Sequence, residues 1–101
     1  MSESTPLFIG LGRLELQIPE ARSLKEKRNR TRSLIEKIRA RHKVLLIESE
    51  HQKLHQRAGY AICAVSTDVG DIEARFGRVE RTIDLNWDGR ILLWEVEILQ
   101  M

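Results

Sequence analysis

A single cysteine, Cys63, rules out an internal disulfide, and its apolar setting in AICAVS reads as core filling in a reducing compartment. Long hydrophobic runs are also missing. Stretches such as Val44 to Ile47 are far too short to span a bilayer, and no basic N-terminus leads into an apolar segment. Neither a membrane span nor a signal peptide is therefore expected, and the expected location is cytoplasmic. Aromatic residues make up only 5% of the chain, leaving few platforms on which unpaired bases could stack. No complete catalytic motif is present. Acidic residues are scarce in one place: between Arg22 and Lys43 two Glu stand against ten Lys and Arg.

That scarcity gives the segment RSLKEKRNRTRSLIEKIRARHK a local charge of +8, while the chain as a whole carries only +2. The small total conceals a strongly polarised molecule, and polarity of this kind points to a polyanionic partner. With 101 residues, 42% of them hydrophobic, the chain has material for one modest core and one domain, expected over residues 7–101. Residues 1–6 are expected to be disordered.

LFIGLGRLELQI, from Leu7 to Ile18, alternates as a half-buried strand with Leu14, Leu16 and Ile18 inward, and Pro19 ends it. Ser23 and Glu26 form a capping box at the start of the basic helix, whose apolar face is Leu24, Thr31, Leu34, Ile35 and Ile38. A second strand is read from Lys43 to Ser49 and a third, apolar on both faces, from Gln56 to Ser66. Asp68 caps a second helix bearing Ile72, Phe76, Val79 and Ile83 on one face; Asn86 to Gly89 turn the chain into a last strand, Arg90 to Leu99. The order βαββαβ closes most economically as a ferredoxin-like α+β sandwich, a four-stranded antiparallel sheet with both helices on one face. The other face should then expose Leu7, Ile9, Leu11, Leu45, Ile47, Ala61, Cys63, Val65, Ile91 and Leu93, an apolar patch that calls for a homodimer or a protein partner.

Lys25, Arg28, Arg32 and Arg39 fall within about 60° of one another on the helical wheel, and Arg30, Lys37 and Arg41 form a second stripe. Either could neutralise phosphates. Lys27 intrudes into the apolar arc and must snorkel or meet an acidic partner, for which Glu48 is one candidate. Arg22, Ser23, Lys25 and the free N–H groups at the helix start could form an anion pocket, although capping explains Ser23 equally well. The connection EHQKLH and its flanks concentrate polar residues, among them His51, Gln52, His55, Gln56 and Arg57, as loops carrying sites do. A metal site would need His51 and His55 to converge with a carboxylate, but H-x-x-x-H is diagnostic only on a helix and this connection lacks helical periodicity, so the two histidines are expected to be solvated.

Two functional classes with this topology can be compared. An RNA-recognition motif needs exposed aromatics on its central strands, but Phe8 and Tyr60 have the parity of inward residues unless a bulge at Gly10 or Gly12 shifts the first strand. An acylphosphatase-like enzyme needs a glycine loop with an Arg after the first strand, where this chain has QIPEARS.

ARSLKEKR at Ala21 to Arg28, ESEHQKLHQRAGYAICAVS at Glu48 to Ser66 and the closing EVEIL at Glu95 to Leu99 together resemble the YlxP-like family of small bacterial proteins, a domain of unknown function. The resemblance covers nearly the whole chain. It implies a ferredoxin-like fold and no established enzymatic activity. Members are often encoded beside transcription factor NusA, translation initiation factor two and ribosome-binding factor A, which implies a role around RNA or ribosome maturation. By that resemblance Arg22, Ser23, Lys25, Lys27 and Arg28 match the family's first motif, and His51, Gln52, Gln56 and Arg57 its second. Relatives typically place a tryptophan where this chain has His55, which speaks against a stacking role there.

The expected function is thus non-enzymatic RNA binding or ribosome association, with phosphate contacts from Lys25, Arg28, Arg32 and Arg39 and further contacts from the loop. The alternatives are a dimeric protein-interaction module and, behind it, a small phosphate-ester or acyl-phosphate hydrolase centred on Arg22 and His51. No cofactor, metal or membrane partner is expected.

Overall fold

Alternation in the first segment produces β1 (Phe8–Gln17), whose Leu14 and Leu16 are fully buried while Leu11 and Arg13 between them and the N-terminus are exposed. The computed structural model describes residues 4–101, so the first three positions of the N-terminal segment lie outside the described residues. Ser23 then caps α1 (Leu24–Arg41): its hydroxyl accepts from the Glu26 N–H at 3.1 Å, and Glu26 Oε2 accepts from the Arg22 N–H at 2.8 Å. This is the reciprocal capping box read from the sequence. β2 (Leu45–Glu50) and β3 (Arg57–Ser66) follow, and Asp68 caps α2 (Val69–Asn86) by accepting from the Gly70 N–H at 3.0 Å. β4 (Ile91–Gln100) closes the chain. Asn86, expected in a turn, is instead the last residue of α2, and Trp87 behind it is buried in the core.

The sheet order is β2-β3-β1-β4 with every neighbouring pair antiparallel. That order, with βαββαβ connectivity, is the ferredoxin-like sandwich. The helices bury Thr31, Leu34, Ile35 and Ile38 from α1 and Ile72, Phe76, Val79 and Ile83 from α2 against Leu14, Leu16, Leu46, Tyr60 and Ile62 of the sheet. Gly10 and Gly12 make room for this layer: a Cβ on Gly10 would stand 2.5 Å from the Phe76 ring, and one on Gly12 2.8 Å from it. Among the described residues neither helix is long and apolar enough to cross a membrane.

β1 pairs with β3 without interruption from Phe8 opposite Ser66 to Gln17 opposite Arg57, so no bulge occurs at Gly10 or Gly12. Phe8 packs against the core and Tyr60 is buried in it, which leaves the open face without an aromatic on its two central strands. The register shifts fall elsewhere, between Glu15 and Leu16 against β4 and between Glu48 and Glu50 against β3. The first shift corrects one expectation. Ile91 pairs with Leu16 and lines a small cavity with Leu14 and Ile83, so it belongs to the helix side rather than the open face. An extra residue in one strand reverses the parity beyond it.

Candidate functional site

Lys27 has the burial of a core residue, with 1% of its surface exposed. Among the described residues its ammonium forms no ion pair with a carboxylate. Instead Nζ donates to the backbone carbonyls of His51 at 3.0 Å, Arg57 at 3.1 Å and Gln52 at 3.5 Å, so one side chain of α1 holds both ends of the β2–β3 connection. The expected ion pair with Glu48 is replaced by ion–dipole contacts, because the loop folds back over the helix and presents three carbonyls first. Burial lowers the Lys27 pKa; the Glu48 charge nearby acts in the opposite direction, and Arg28 adds to the lowering.

The connection turns at His51, a non-glycine residue in the left-handed region with φ of 57°. Its carbonyl also accepts from the Leu54 N–H at 3.0 Å, and Gly59 admits the close approach of Glu50, whose Cβ would lie 2.5 Å from a Cβ placed there. The turn brings the His51 ring onto the open sheet face, where Nε2 stands 2.7 Å from Glu15 Oε1. Arg57 Nη2 donates to the same oxygen at 2.8 Å. The hydrogen bond from His51, supported by that from Arg57 and opposed by desolvation, holds the Glu15 pKa below its usual value. His51 is thus a half-buried, partnered group and not a solvated one; His55 is exposed as expected.

The basic stripes separate by what their side chains already hold. Arg30 donates to the Pro19 carbonyl, Lys37 to Asn86 Oδ1 at 2.7 Å, and Arg39 to the Leu46 carbonyl of β2 at 2.9 Å. Arg39, though exposed, therefore already holds a carbonyl of an edge strand, unlike Lys25, Arg28 and Arg32 on the same flank. Those three are exposed and form no side-chain hydrogen bond or ion pair among the described residues. The anion pocket expected at the helix start is filled by the protein itself, since Glu26 takes the Arg22 N–H and Ser23 the Glu26 N–H.

Gln56 ties the loop to the residues before α1: its Nε2 donates to the Ala21 carbonyl at 3.4 Å and its own carbonyl accepts from the Ile18 N–H at 2.9 Å. Gln52 Nε2 donates to the Glu48 carbonyl at 3.3 Å. Between the two elements lies an open cleft of about 490 Å³ lined by Gln17, Ala21, Lys53, Leu54, His55, Gln56 and Arg57. The two sequence motifs therefore meet, through Lys27 and Gln56. Arg22 and His51 do not: the first precedes α1, and the His51 ring lies on the sheet face turned away from the helices. No group of three metal-ligating side chains occurs among the described residues. Glu15 and Lys53 carry no sequence signal of a site; Glu15 looks like any outward strand residue until the β1–β3 register sets it beside Gly59 and near Arg57.

A four-stranded antiparallel sheet in this order, with two helices on one face and a loop pinned by a buried lysine, defines a ferredoxin-like α+β domain. The chain belongs to the DUF503 family, described as a protein of unknown function, which matches residues 9–96. Comparison with curated proteins found no significant match. Among solved structures, the de novo designed protein Foldit4 is similar at a TM-score of 0.52 and 17% identity, over 94% of this chain and 96% of that one, a likeness of fold alone. PA3566 from Pseudomonas aeruginosa is 19% identical at a TM-score of 0.41, covering 100% and 96% of the two chains. A dimeric ferredoxin-like protein from an uncultured marine organism is 8% identical at 0.41, covering 95% and 94%.

Proposed function

We propose that this chain is a non-enzymatic, cytoplasmic RNA-binding protein that associates with ribosomal or other structured RNA through Lys25, Arg28 and Arg32, with the Gln52–Arg57 loop beside them. The observation that carries the reading is the division of labour on α1. Arg30, Lys37 and Arg39 are spent on internal contacts, whereas Lys25, Arg28 and Arg32 are exposed and unpartnered among the described residues. They span about 10 Å of one helix flank. A cationic stripe without internal counter-charges gains from phosphates because each contact releases condensed counterions.

Lys53 and His55 line the cleft that also takes in Ala21 just before α1, so the loop adds an exposed cation, Lys53, near the helix start, whereas Arg57 is held by Glu15. The resemblance of both motifs to the YlxP-like family, with its gene neighbours in transcription and ribosome maturation, supports the same assignment. Phosphate contacts carry no sequence information, so the helix alone discriminates little among RNA sequences. Fluorescence anisotropy with a labelled, structured RNA at low salt tests the reading. Binding is expected for the unmodified chain and a loss of at least tenfold for Arg28→Glu with Arg32→Glu; no binding, or an unchanged affinity, refutes it.

A further inference from the structure

The face of the sheet turned away from the helices exposes apolar side chains in adjacent rows. Cross-strand register aligns Leu45, Cys63 and Leu11 in one row and Ile47 with Ala61 in the next, while Val65, Ile9 and Leu99 form a third. Leu45 is 67% exposed, Val65 54%, Ile47 53%, Leu11 44% and Leu99 43%. Singly such exposures are ordinary; adjacent on one face, they form a contiguous apolar patch of the kind that marks an interaction surface. We propose that this face is covered by the same face of a second copy of the chain.

Size and charge select that occupant. Four strands about 4.8 Å apart and up to ten residues long, at about 3.3 Å each, present on the order of 600 Å² in projection and more as accessible surface. A stable pair of proteins takes about 800 Å² from each partner. A single helix, about 10 Å wide, would cover roughly half the width of such a face, whereas another four-stranded sheet matches it fully and packs on it in the aligned manner of a β-sandwich. The charged residues of the face suit a copy as well. Arg13 lies beside Glu95 in register, with Glu97 opposite Leu11, and none of the three is ion-paired within the chain among the described residues. With Arg13 on central strand β1 and Glu95 and Glu97 on edge strand β4, the face carries both signs and can meet its two-fold mate, Arg13 to acid, without burying like charges together.

This arrangement leaves α1 on the outside of each protomer and is independent of RNA binding. Its test uses the whole chain, whose mass is 11.7 kDa. Light scattering behind size exclusion is expected to give twice that mass, and Leu45→Asp or Ile47→Asp to return it to the monomer with the circular dichroism spectrum retained. Should those variants fail to fold, a spin label on Cys63, the only cysteine, decides the matter in an otherwise unmodified chain. The label sits inside the patch, between Leu45 and Leu11, so the paired sheets predict a short label-to-label distance that lengthens beyond detection on dilution to monomer. A monomeric mass at tens of micromolar, or a dimer whose Cys63 labels are remote from each other, overturns the proposal.

Discussion

The Lys27 ammonium lies 3.0 Å from the carbonyl oxygen of His51, and this contact joins the basic helix to the loop that carries the second sequence motif. A charge buried in this way survives because three carbonyl dipoles replace the water it gave up. Replacing Lys27 with Met keeps most of the packing volume and leaves those carbonyls without their donor. Chemical denaturation is expected to show a loss of about 2–4 kcal/mol, since buried polar groups stripped of partners cost about 1–3 kcal/mol each and part of this is recovered by hydration. Hydrogen exchange should rise over residues 51–57 more than elsewhere. Equal stability and equal loop protection would show that the contact holds nothing.

Glu15 sets a pH dependence. Its carboxyl is more acidic in the folded chain than the ordinary value of 4.5, chiefly through the His51 hydrogen bond. The folded state then binds its proton less readily than the unfolded one, so the stabilisation is present above 4.5 and is lost as pH falls through the lowered folded value. Glu15→Gln should lower the thermal midpoint at pH 7, with the difference from the unmodified chain narrowing below pH 4.5. A difference that stays constant across that range would contradict the assignment.

Gly10 and Gly12 are the seats of Phe76. Gly10→Ala places a methyl carbon 2.5 Å from the ring and 2.6 Å from Ile72 Cγ2, and Gly12→Ala places one 2.8 Å from the ring. Overpacking of this degree typically costs about 1–3 kcal/mol. Urea titration should find Gly10→Ala the worse of the two, because its methyl meets two side chains. Gly77→Ala on α2 is the control: its Cβ meets nothing within 4 Å, and alanine favours a helix over glycine by about 1 kcal/mol, so that variant should be more stable.

Much of this architecture can be read from local pattern. Alternation marks β1, the Ser23–Glu26 box and Asp68 mark the helix starts, and the odd position of Lys27 in an apolar arc already calls for snorkelling or a partner. What the pattern lacks is the path of the chain beyond each element. A one-residue shift opposite Glu15 sends Ile91 to the helix side, and a left-handed residue at His51 directs three carbonyls to Lys27 before Glu48 can reach it. Likewise a helical wheel treats Arg28 and Arg39 alike. Only the placement of β2 shows that Arg39 is already held by the Leu46 carbonyl.

That difference between Arg28 and Arg39 is the core of the functional account, and the salt dependence of RNA binding measures it directly. The slope of log affinity against log salt falls by about 0.7–0.9 for each phosphate contact removed. Replacing Lys25, Arg28 and Arg32 with Gln together should reduce the slope by about 2–3, while replacing Arg30 and Arg39 with Gln should leave it unchanged. Equal reductions from both sets, or none from the first, would contradict a binding surface made of the unpartnered stripe.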